Sequence, residues 1–155
     1  MATTGYYIVL DFDGTVVKHH YPAVGDDIGA APVLKRLVAN GHKLLLSTMR
    51  SKSSEGADTL QPALDWFENN GIPLYGVNEN PDQKSWTDSP KIYGHLTIDD
   101  TALGAPLKAD PAGGAPFIDW SVAAVYLCLH GILTETDLLE LVQQGSIDIS
   151  NLNVK

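Results

Sequence analysis

Three observations make this sequence a three-layer α/β domain around a parallel sheet. Short, continuously apolar runs recur along the chain, as expected of strands buried on both faces. Segments with apolar residues at helical spacing alternate with them. Polar clusters follow three of the apolar runs directly, at the strand ends where open α/β sheets bind ligands.

Tyr6–Leu10, bounded by Gly5 and Asp11, reads as the first buried strand. Ala30–Asn40 places Val33, Leu34, Leu37 and Val38 at helical spacing, and Gly41 supplies a C-terminal cap. Lys43–Ser47 is the second strand. Ala57–Asn70 is a helix with Leu60, Leu64 and Phe67 inward, closed by Gly71. Leu74–Val77 and His95–Ile98 are the third and fourth strands. Asp119 is placed to cap an apolar helix, Trp120–His130, which Gly131 ends. Thr134, with Asp137 three residues on, opens a last helix to Val142. Gly145–Lys155 carries no strong signal and is read as a flexible or packing tail. Trp66, Phe67, Trp120 and Tyr126 fall at helical positions and are assigned to the core. Trp86 lies in a polar loop and is expected to be exposed, for substrate stacking or a subunit contact.

At 155 residues, with 44% hydrophobic and 19% charged, the chain suits a single domain, 1–155, with its core over about 6–144. No apolar run reaches the roughly 18 residues a membrane span needs. Met1–Gly5 lacks the basic and apolar pattern of a secretory leader. The single cysteine, Cys128, lies in an apolar run and reads as a buried, inert thiol. It excludes a disulfide framework and a thiolate metal cluster. These features predict a cytoplasmic protein. A net charge of −9 makes nucleic acid a poor default partner. It does not exclude small phosphorylated substrates, because a divalent metal and one lysine make a local positive pocket.

Four clusters carry candidate chemistry: Asp11-Phe12-Asp13-Gly14-Thr15, Ser47-Thr48, Lys91 and Asp99-Asp100. Alone, each has an ordinary explanation: a turn, a cap, a solvated lysine, a loop start. Together, and with three of them directly at strand ends, they point to one site. Phosphoryl transfer needs an in-line nucleophile, a metal, and positive charge around the transferring oxygens. Magnesium prefers hard oxygen ligands, which Asp11, Asp99 and a loop carbonyl supply. Lys91 and the Thr48 hydroxyl can hold phosphate oxygens. Asp13, two residues beyond the nucleophile, can protonate the leaving oxygen and then deprotonate water.

This pattern resembles the haloacid dehalogenase superfamily over about Tyr6 to His130. Asp11–Thr15 matches its first motif, Leu44–Thr48 its second, Lys91 its third and Thr97-Ile98-Asp99-Asp100 its fourth. The resemblance implies a Rossmann-like fold and a Mg2+-dependent phosphomonoesterase working through an aspartyl phosphate. It assigns Asp11 as nucleophile and metal ligand, and Asp13 as general acid/base with its backbone carbonyl on the metal. Thr48 and Lys91 become the phosphate-binding pair, with Lys84 the alternative lysine. Asp99 becomes a direct metal ligand, and Asp100 acts through water. The dehalogenating, metal-free members lack an acid at the position of Asp13, so the chain resembles the phosphatase branch. A group of small bacterial hydrolases in the superfamily is similar in three further places. These are His19-His20-Tyr21-Pro22, Thr48-Met49-Arg50 and Ile118-Asp119-Trp120. The Gly-, Ala- and Pro-rich segment Leu103–Pro116 is longer than that group's usual connection.

Neither interval between motifs has room for a cap domain with its own core. The expectation is therefore a capless enzyme, its open site serving large substrates or covered by a neighbouring subunit of a homo-oligomer. Arg50 is a candidate second phosphate contact or a partner of Asp100. His19 and His20 are expected on a solvated flap, in preference to contacting substrate or metal. The competing readings are a phosphotransferase of the same superfamily and a non-catalytic phosphate- or metal-binding module. A polynucleotide-end phosphatase is disfavoured by the negative charge.

Overall fold

Strands β1 (Tyr7–Leu10) and β2 (Lys43–Leu46) pair in parallel at the centre of a four-stranded sheet. The order is β3–β2–β1–β4, with β3 at Gly76–Val77 and β4 at Leu96–Ile98, and every pairing is parallel. The computed structural model describes residues 5–152. Helices α1 (Ala30–Ala39), α2 (Leu60–Asn69), α3 (Trp120–Leu129) and α4 (Glu135–Gln143) complete the α/β architecture.

Period-two alternation divides the strand residues between the two faces of the sheet. Ile8, Leu10, Leu44 and Leu46 join one continuous core with Leu34, Leu37, Phe67, Ala124 and Leu127 from the helices. Val9 and Leu45, paired in register, are buried outside that core. The return segment from β3 to β4 covers them. A Cβ at Gly94 would collide with Val9, and one at Gly76 would press on Leu45 and Pro81. The second covering layer is thus thin, built around a 3-10 helix at Pro81–Ser85. The fold is the expected Rossmann-like three-layer α/β arrangement.

Most elements fall where the sequence puts them, and the differences have local causes. Helix α2 starts at Leu60, not Ala57, because the Asp58 carboxylate accepts the Leu60 and Gln61 N–H groups. Its buried residues are Ala63, Trp66 and Phe67, with Leu60 and Leu64 only partly buried against the core. β3 is an edge strand of two residues, although the Tyr75 N–H still bonds the Leu44 carbonyl. Tyr126 is 46% exposed, not core, and lines a groove beside β4. Trp86 is exposed, but it packs edge-on against Tyr93, which meets Tyr7 and His95 at the amino ends of β1 and β4. That end of the sheet is opposite the polar clusters, which removes Trp86 from substrate stacking. The long segment 103–116 contains β5 (Leu107–Lys108), which pairs antiparallel with β6 (Phe117–Ile118) just beyond it. In the tail, Ile147 is buried in the core.

Among the described residues, neither interval between motifs holds a cap. Asp13 to Thr48 contains a flap, α1 and β2, and Thr48 to Lys91 contains α2, β3 and the 3-10 helix. No helix among the described residues is long and apolar enough to cross a membrane.

Candidate active site

Strand register builds the acidic cluster. Leu10 pairs with Ile98, and the Asp11 N–H continues the ladder to the Ile98 carbonyl at 3.0 Å. The next residues on the two strands, Asp11 and Asp99, therefore emerge side by side, with Asp100 following. One carboxylate oxygen from each of the three acids lies within 4.8 Å of the others.

The loop after β1 folds tightly over this cluster. The Phe12 carbonyl accepts the N–H groups of Thr15 and Val16, at 3.2 and 2.8 Å. Thr15 is fully buried, and its hydroxyl joins the two strand ends. It donates to Asp11 Oδ2 at 2.9 Å and accepts from the Asp100 N–H at 3.1 Å. The Trp120 indole holds the Thr15 carbonyl at 2.8 Å, and the Ile118 N–H holds that of Gly14 at 2.9 Å. Gly14 has φ +80°, and a Cβ there would strike the His19 ring and the Asp100 carboxylate. Asp99 Oδ1 is oriented by the Thr101 N–H and hydroxyl, at 2.9 and 2.7 Å.

This packing has an electrostatic consequence. Burial pushes the Asp11 carboxyl up from the ordinary 3.8 to about 7. Hydrogen bonds from Thr15 and the Phe12 N–H oppose the rise, while the charges of Asp99 and Asp100 add to it. With that value the carboxyl is only about half ionised at neutral pH, and a cation placed against it would favour the charged form. The donor set suits a hard ion: three carboxylates, and an Asp13 carbonyl that accepts no hydrogen bond among the described residues.

The structure thus gathers Asp11, Asp99 and Asp100, while Lys91 is tied through its carbonyl to Gln83 in the 3-10 helix, not to the acids. Thr48 sits just past β2, its N–H held by Asn78 Oδ1 at 2.8 Å. Its hydroxyl oxygen accepts the Arg50 N–H at 3.1 Å, leaving the hydroxyl proton free to donate. Lys91 is exposed, and its ammonium makes no hydrogen bond or ion pair among the described residues. Lys84 is paired with Glu79 at 3.2 Å. Neither ammonium is bonded to the carboxylates.

Arg50 overturns both expectations for it. It neither reaches Asp100 nor keeps a donor for phosphate. Nε and Nη2 grip the two oxygens of Asp13, both at 2.7 Å. Its other hydrogens go to the carbonyls of Pro22, Thr59 and Ala23. His19 is not on a free flap either, since its Nε2 lies 2.8 Å from Asp100 Oδ2. His20 is exposed. Sequence reasoning also missed Asn78, which holds Thr48 from a left-handed backbone at φ 52°. An asparagine just beyond a strand was the available signal, because Asn tolerates that conformation.

No protein-family model matches the chain, and no curated protein matches it either. Among solved structures, a conserved protein coded by a locus of Bacteroides thetaiotaomicron is similar to it. The two are 30% identical and superpose with a TM-score of 0.61, over 87% of this chain and 98% of that one.

Proposed function

The chain belongs to the family of this conserved Bacteroides thetaiotaomicron protein, and from its own side chains we propose a magnesium-dependent phosphomonoester hydrolase of the haloacid dehalogenase type. One observation carries the reading: the meeting of Asp11, Asp99 and Asp100 at two register-matched strand ends, with oxygens within 4.8 Å. Asp11, Asp99, Asp100 through water, and the Asp13 carbonyl would hold the Mg2+. When bound, the ion neutralises phosphate charge and draws the Asp11 carboxyl into its ionised form.

The residues divide the reaction as follows. A carboxylate oxygen of Asp11 attacks phosphorus as the bond to the leaving oxygen breaks. Asp13 passes its proton to that oxygen, releasing the alcohol and leaving a phosphorylated Asp11. Water then loses a proton to the Asp13 carboxylate, and its oxygen attacks phosphorus from the side opposite Asp11. The bond to Asp11 breaks, inorganic phosphate leaves, and both aspartates return to their starting forms. The Thr48 hydroxyl and the ammonium of Lys91 hold the non-reacting oxygens, since Lys84 is engaged by Glu79. The absence of a cap from either interval supports a substrate larger than the pocket, or a second copy covering the site. The single free thiol suits a reducing cytoplasm.

The test is phosphate release from p-nitrophenyl phosphate by the wild type and Asp11→Asn, with and without magnesium. Turnover should require magnesium and fall by at least roughly 10³-fold in the variant, the scale of losing a catalytic nucleophile. Turnover that survives Asp11→Asn would remove Asp11 from the mechanism.

A further inference from the structure

Resting on that phosphatase reading, we infer that Arg50 is a positioning residue that aims the acid–base carboxylate of Asp13. Arg50 is 1% exposed, and all five of its N–H donors are matched. Two grip Asp13. The others reach the carbonyls of Pro22 at 2.9 Å, Ala23 at 2.7 Å and Thr59 at 3.0 Å. The ring centroids of Phe12 and Tyr21 lie 5.2 and 5.3 Å from Cζ. Three backbone carbonyls and two rings therefore fix the plane of the guanidinium. The rigid fork transmits that plane to the carboxylate.

A stabilising role alone does not account for this arrangement. A buried ion pair adds little net stability, because desolvation offsets most of the attraction. Here the arginine is sealed from water while the Asp13 side chain stays 18% exposed. An ionised carboxylate has two lone pairs on each oxygen, and Arg50 occupies one of them on each. The others remain available for a proton. The result is a carboxylate that cannot swing but can still exchange a proton with a substrate oxygen or water. Lysine cannot reproduce this, because an ammonium is a point donor without a plane.

The arrangement reports itself through the leaving group. A nitrophenolate departs without a proton, whereas a benzyl alkoxide needs one in the transition state. The experiment compares kcat/KM of the wild type, R50K and Y21A on p-nitrophenyl, phenyl and benzyl phosphate, with magnesium. R50K should lose roughly 100-fold on benzyl phosphate and less than roughly 10-fold on p-nitrophenyl phosphate, the scale of general acid catalysis. Y21A removes one ring from a residue that is 62% exposed, and should show the same slope, several-fold in size. It carries the test if R50K does not fold. Equal loss on all three esters, or no loss, in the folded variants would overturn the inference and leave the phosphatase reading intact. A wild type inactive on all three esters would overturn both.

Discussion

The Thr15 hydroxyl holds together two strand ends whose carboxylates repel. It gives its proton to Asp11 and takes one hydrogen bond from the Asp100 N–H, from a side chain that is itself fully buried. Thr15→Val keeps the shape but takes the acceptor from the part-buried Asp100 N–H and the donor from Asp11, a loss of about 1 kcal/mol or more. Urea denaturation should show that loss, and a change below about 0.5 kcal/mol would mean the bridge contributes nothing. At this scale, the sequence displayed the acids but not their partners. Asp11, Asp13, Asp99 and Asp100 were legible because carboxylates beside buried strands need compensation. The Arg50–Asp13 grip was not, since 37 residues separate the pair and no local spacing encodes it. The His19–Asp100 contact was hidden likewise, though Gly14 was a clue: the glycine makes room for both side chains.

Among the elements, α4 shows how one side chain can start a helix and dock it. Thr134 and Asp137 form a capping box, with the Thr134 hydroxyl on the Asp137 N–H and Asp137 Oδ2 on the Thr134 N–H. The same carboxylate accepts Asn40 Nδ2 at 2.8 Å and faces Arg36 at 3.5 Å, joining α4 to α1. Burial raises the Asp137 carboxyl, but bonds from the Thr134 N–H, Asn40 and the Thr134 hydroxyl, with the Arg36 charge, outweigh it. The net result lies below the ordinary 3.8. A depressed acid stabilises the fold above its unfolded value, and loses that contribution as pH falls toward its folded value. Asp137→Ala should therefore cost about 2 kcal/mol at pH 7, by loss of a cap and a buried bond. The gap from wild type should narrow below pH 3.8, and a constant gap would show that the charge is irrelevant. Helices with such caps were readable within a residue or so, because their end signals are local. The hairpin of β5 and β6 was not, because two-residue strands carry no period, and their pairing follows from docking beside Gly14.

At the scale of the whole molecule, the proposed metal would couple pH to stability through Asp11. Its carboxyl titrates near 3.8 when unfolded and about 7 when folded without metal. Between those values the folded chain binds more protons than the unfolded one. Stability from this group therefore falls as pH rises through that window and levels off above about 7. A divalent cation reverses the sense, because it requires the ionised acid and competes with the proton. Magnesium at a hundred times its Kd contributes about 2.7 kcal/mol, or a rise of roughly 5–10 °C in Tm for a chain of this length. That rise should be seen near pH 8 and shrink strongly near pH 5, where protonated Asp11 withdraws from the ligand set. Thermal melts at both pH values, with and without magnesium, measure the difference. In Asp11→Asn the magnesium shift should be smaller and lose most of its pH dependence, because the titrating ligand is gone. Equal shifts at both pH values in the wild type would remove Asp11 from the metal. No shift at either would remove the metal from the site, leaving the three acids to be explained by the hydrogen bonds of Thr15, Thr101 and His19 alone.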